Sequence, residues 1–116
     1  MEFKTIAIGQ HQIAEIVSKD VLIRNEQDAL DIIGNAPSEY IVLYEHNFEN
    51  DFFDLRTRKL GDVLQKFTNY RIKLAVIGNF ATYSSKSLKD FIYESNKHGE
   101  YLFVPSMEHV IKHWKR

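Results

Sequence analysis

Cysteine is absent from this 116-residue chain. That excludes disulfides, thiolate metal sites and cysteine nucleophiles together, and it is compatible with a reducing cytoplasm. No apolar run approaches the ~18–20 residues of a membrane-spanning helix. The opening MEFKTIAIGQ lacks the apolar core of a signal peptide, so the expected location is cytoplasmic. Net charge is nearly balanced at −1, which gives no electrostatic reason to expect a nucleic acid or a membrane surface as partner. Prolines number only two, Pro37 and Pro105, and each stands where a helix or strand should stop. Repeats, low-complexity stretches and linkers are missing as well. What remains has 44% hydrophobic and 27% charged residues, the composition of one ordinary folded domain spanning 1–116.

The chain is organised around Tyr40–Phe80. Tyr40–Tyr44 and Leu74–Ile77 are short runs rich in β-branched and aromatic residues, as buried parallel strands tend to be. The segment between them is long enough for a crossover helix, in which Leu60, Val63, Leu64 and Phe67 recur at helical spacing. Gly61 inside that helix costs about 1 kcal/mol relative to alanine, and a close approach to the sheet is the expected compensation.

Upstream, Phe3–Ile8 and Gln12–Val17 read as a hairpin turning at Gly9, Gln10 and His11. Asn25 should cap a helix that buries Ala29, Leu30 and Ile33 and stops at Gly34, Asn35 and Pro37. Downstream, Ser84 or Ser85 should cap a helix carrying Leu88, Phe91 and Ile92, ended by His98 and Gly99. Tyr101–Val104 is the last strand. After Pro105, Ser106 caps a final helix with the stripe Met107, Val110, Ile111 and Trp114. The order is ββαβαβαβα. It predicts an α/β fold with a mostly parallel five-stranded sheet, one antiparallel edge strand and about four helices. This is also the element order of STAS domains, so a single STAS-like domain is expected.

At residue level, FFDLRT at 52–57, LQKFTNYRIKLAVIGNF at 64–80 and SKSLKDFIYESN at 85–96 closely resemble a bacterial family, domain of unknown function 4180. The resemblance covers essentially the whole chain. It implies a small cytoplasmic bacterial protein with no assigned activity. In that family's pattern a small residue such as glycine follows the threonine of FFDLxT. Here Arg58 and Lys59 follow Thr57 and place two positive charges beside the candidate rim.

Open α/β sheets bind ligands beyond the carboxyl ends of their strands. That rim collects Glu45, His46, Asn47, Asp51, Asp54, Arg56, Asn79, Tyr83, Ser85 and Lys86. Ser84, Ser85 and Lys86 at a helix start could hold an anion, although capping alone explains the serines. Glu45, His46, Asp51 and Asp54 could form a hard-metal or acid/base cluster. Their spacing matches no metal signature, and the two aspartates could equally cap the crossover helix or pair with Arg56 and Arg58. His109 and His113, four residues apart, lack a third ligand and read as a solvated helix face. STAS domains that act as anti-sigma-factor antagonists carry a phosphorylatable serine at the start of the crossover helix. This chain has Asn50, Asp51 and Asp54 there, and Thr57 is the only hydroxyl.

Aromatic residues are dense around the same rim. Most of them should be core, and Phe52 and Phe53 could close the end of the sheet. Tyr40, Tyr44, Phe52 and Phe53 are also the candidate interface residues, and Tyr40, Val42 and Tyr44 alternate on one strand face that a second copy could cover. The leading expectation is a non-enzymatic regulatory or protein-interaction domain with no cofactor and no bound metal, binding a protein partner or itself as a homodimer. A small-molecule or anion sensor at the rim is the alternative, and a small enzyme using the Glu45–Asp54 cluster comes third. No nucleic acid or membrane partner is expected.

Overall fold

The computed structural model describes residues 1–115. Its strands are β1 (Phe3–Ile8), β2 (His11–Ile16), β3 (Tyr40–Tyr44), β4 (Lys73–Ile77) and β5 (Tyr101–Val104), and its helices are α1 (Glu26–Asn35), α2 (Lys59–Asn69), α3 (Lys86–His98) and α4 (Met107–Trp114). The expected fold class is the one observed: one five-stranded sheet in sequential order, antiparallel between β1 and β2 and parallel thereafter.

The β1–β2 turn is tighter than the sequence suggests. It uses only Gly9 and Gln10, with Ile8 facing His11, because Gly9 adopts φ +53°, a left-handed conformation open to glycine at little cost. His11 therefore begins β2. Asn25 caps α1 by accepting the Asp28 N–H at 2.9 Å. The face of α1 that is fully buried carries Ala29 and Ile32, one step round from the expected Leu30 and Ile33, which are half-buried.

Sequential strand order decides where the helices go. Each crossover steps to the next strand in the same direction, so α1, α2 and α3 fall on one face of the sheet. They enclose the larger core with Ile41, Leu43, Leu74, Val76 and Phe103 from the strands. α4 follows the last strand, has no further crossover to make, and packs on the other face over Ile13, Val42, Ala75 and Leu102. The face of β3 that bears Tyr40, Val42 and Tyr44 is therefore not bare. Val42 is fully buried, and Tyr40 meets the Trp114 ring edge-on at 5.2 Å. Among the described residues no helix is long and apolar enough to cross a membrane.

Gly61 does not approach the sheet. It is exposed, and a Cβ built there would meet nothing within 4 Å. The close approach is at Gly78 instead, where a Cβ would lie 2.5 Å from Glu45 Cβ and from its Oε1.

Candidate functional site

β3 ends at Tyr44 and the chain enters a single 3-10 turn, Glu45–Asn47. Asn47 is the buried polar residue of the core. Its Oδ1 accepts the Tyr44 N–H at 2.8 Å, and its Nδ2 donates to the carbonyls of Ser18 (3.2 Å) and Asp20 (2.9 Å). Its own carbonyl accepts the N–H groups of Leu22 and Ile23. A buried amide so fully satisfied is a clamp, holding the 18–23 segment against the sheet end. His46 is exposed, stacks on Tyr44 at 5.4 Å, and places Nε2 3.1 Å from the Ser18 carbonyl.

Glu45 joins two strand ends. Its carboxylate accepts the Asn79 N–H at 3.0 Å and the Tyr83 hydroxyl, and its stem lies over Gly78. Burial, reinforced by the bond to Glu45, raises the Tyr83 phenol well above its ordinary value. On the far side of β3, Tyr44 donates its hydroxyl to Glu15, and burial followed by that bond pushes its phenol up to about 12.

The segment between β3 and α2 folds as two further 3-10 turns, Asn50–Phe53 and Leu55–Thr57. Phe52 and Phe53 point inward and are 0% and 3% exposed. The expectation that they offer an interface is corrected: they close the end of the core, with Phe53 packed between Phe48, Phe80 and Tyr83 at 5.3–5.8 Å. Asp54 caps the second turn through the Arg56 N–H and takes the Arg56 guanidinium in a fork of 3.0 and 2.9 Å. That guanidinium holds the Asp54 carboxyl below its usual range. Asp51 pairs with neither arginine. It shares Lys59 with Glu49, at 2.7 and 3.1 Å, and these bonds, that to Asp51 foremost, raise the Lys59 ammonium.

At α3, Ser85 is the cap, accepting the Leu88 N–H at 3.2 Å. Lys86 turns along the helix to Asp90 at 2.7 Å and is 87% exposed. The rim residues thus separate instead of converging. Glu45 and His46 line a hollow of about 330 Å³ with Glu49, Asn50 and Tyr83. Asp54, Arg56 and Ser85 line a neighbouring open groove of about 560 Å³. Phe53 and Tyr83 border both, while Asp51, Asn79 and Lys86 line neither. Among the described residues no group of three or more His, Asp or Glu is placed to hold a metal ion.

Sequence reasoning overlooked four determinants of this end of the molecule: Asn47 as a clamp, Gly78 as the floor beneath Glu45, Lys59 as the cation between Glu49 and Asp51, and the left-handed backbone of Arg58 at φ +64°. Only the last had a readable signal. The family pattern's small residue after FFDLxT fits a position where glycine is at ease.

The sequence model of the family described as Domain of unknown function (DUF4180) matches residues 8–114, and the chain belongs to that family. Neither a curated protein nor a solved structure matches it.

Proposed function

We propose that this member of the DUF4180 family works by binding and not by catalysis, as a regulatory protein-interaction domain that presents its C-terminal strand rim to a protein partner or a second copy. One observation carries this reading. The charged rim groups that could have done chemistry are already bonded to one another: Glu45 to Asn79 and Tyr83, Asp54 to Arg56, Asp51 to Lys59, Lys86 to Asp90. A general base needs a partner that the substrate supplies, and an anion site needs cations not already neutralised. Glu45, Asp51, Asp54, Arg56, Lys59 and Lys86 are thus not free for either role, and Arg58 is the rim cation outside any ion pair among the described residues. What the rim does offer is an open groove lined by the half-buried Leu55 and Tyr83, with Ser84, Ser87 and the Asp54–Arg56 pair beside them, the mixture of apolar and polar groups that protein interfaces use.

The ββαβαβαβα order supports regarding the domain as STAS-like. A phosphorylation switch at Thr57 has less support. The Thr57 hydroxyl donates to the Asp54 carbonyl at 2.9 Å and accepts the Lys59 N–H at 3.2 Å, so a phosphate there would break the turn that starts α2.

Native mass spectrometry of the protein from its own cells, at gentle and denaturing settings, tests the reading. A homodimer or a defined protein complex is expected. A monomer without a protein partner would overturn it. Asp54→Ala and Lys86→Ala should leave the fold intact, Asp54→Ala at a cost of about 0.5–2 kcal/mol for the lost turn cap; unfolding by either would make the rim a structural network.

A further inference from the structure

The opposite end of the sheet carries a second hollow, about 340 Å³ in volume, where β2, β3 and β4 begin and α3 and α4 end. We propose that it binds a small organic anion: a planar ring bearing one carboxylate or phosphate.

The cationic side of the hollow is the first argument. Lys73 at the start of β4 and Lys97 in the last turn of α3 line it, and neither forms an ion pair among the described residues. The rim lysines, by contrast, are neutralised by carboxylates. Three of the five histidines of the chain, His11, His98 and His113, line the same hollow. They come from three separate elements, β2, α3 and α4, so no local sequence bias accounts for their meeting. Glu100 is the carboxylate facing them. On a chain of net charge −1, this concentration of positive and protonatable groups selects an anion.

The second argument is the aromatic wall. Trp114 is fixed by its indole N–H donating to the Gly99 carbonyl at 2.8 Å. Tyr40 stands edge-on to it, His11 lies 4.7 Å from Tyr40, and the Lys73 ammonium sits 5.6 Å from the Tyr40 ring centre. Rigid rings beside uncompensated ammonium groups suit a ligand with a flat apolar part and an acidic end. The volume lies at the lower end of the range for small-molecule sites, roughly 300–1,000 Å³, which fits one ring with its acid group.

Trp114 is the single tryptophan, so fluorescence excited beyond the absorption band of tyrosine reports on this hollow. The full chain is titrated with benzoate, phenyl phosphate and the neutral benzyl alcohol. Saturable quenching or shift by one of the anions is expected, about tenfold weaker in Lys73→Gln, as loss of one charge-assisted contact implies. Lys97→Gln, at an exposed helix position, provides the same comparison should Lys73→Gln fold poorly, with circular dichroism melting as the check. Benzyl alcohol binding as tightly as benzoate, or no saturable response by about 10 mM, a concentration that detects even millimolar affinity, overturns the proposal. This site and the protein-interaction rim lie at opposite ends of the sheet, so either can fail without the other.

Discussion

At the scale of single residues, backbone conformation and half-buried phenols make the sharpest statements. Arg58 sits at φ +64° directly before α2, and its Cβ makes that conformation cost about 1–2 kcal/mol. Arg58→Gly should therefore raise the stability by about 1 kcal/mol in urea unfolding, glycine's larger unfolded-state entropy offsetting part of the relief. A loss of stability would mean that the Arg58 side chain has a structural role. Tyr44 and Tyr83 have raised folded-state values relative to the ordinary 10.0. The sign follows from linkage. Both are held as neutral phenols, so their contribution is complete below the unfolded value and disappears as pH rises through the folded ones. The urea midpoint should be level up to about pH 9 and fall from about pH 10 upward. The Tyr44→Phe/Tyr83→Phe double variant should fall less steeply, and equal slopes would refute the assignment.

At the scale of elements, α2 shows how a helix can be legible and still be misjudged. Its stripe of Leu60, Val63, Leu64 and Phe67 was plain from spacing, and all four are buried. Leu64→Ala should cost about 2–5 kcal/mol by chemical denaturation. Gly61 was equally plain as an anomaly, but its explanation was not. With open space where its Cβ would be, Gly61→Ala should gain about 1 kcal/mol of stability from helix propensity alone. Gly78→Ala should do the reverse, because the added methyl would displace Glu45 and with it the bonds to Asn79 and Tyr83. Sequence marks Gly61 as the anomaly and leaves Gly78 as an ordinary residue after a strand. The contact that reverses this is with a residue 33 positions away, since 78 and 45 meet at the ends of β3 and β4.

At the scale of the whole molecule, the two ends of the sheet have different electrostatic states. The carboxyl-end rim holds Glu49, Asp51, Asp54, Arg56, Lys59 and Lys86 in ion pairs and leaves Arg58 as its unpaired cation, whereas the amino-end hollow keeps both of its lysines, Lys73 and Lys97, outside any ion pair among the described residues. Strand order also sets what each face exposes: three helices on one side leave α4 alone to cover the other, which it does by laying Val110 and Trp114 across β3–β5.

The sequence by itself determined the fold class, the order of elements, the caps at Asn25 and Ser106, a serine cap for α3 at Ser84 or Ser85, and family membership. Those properties rest on residues near one another along the chain: periodicity of two or 3.6, side chains that bond two or three positions ahead, and prolines or glycines that end an element. Tertiary structure alone decided which polar groups are spent on one another. Asp51 went to Lys59 instead of an arginine, Phe52 and Phe53 went inward, and His11, His98 and His113 came together from three elements. Such pairings depend on distances between residues remote in sequence, fixed by strand register and helix placement, and no local pattern encodes them.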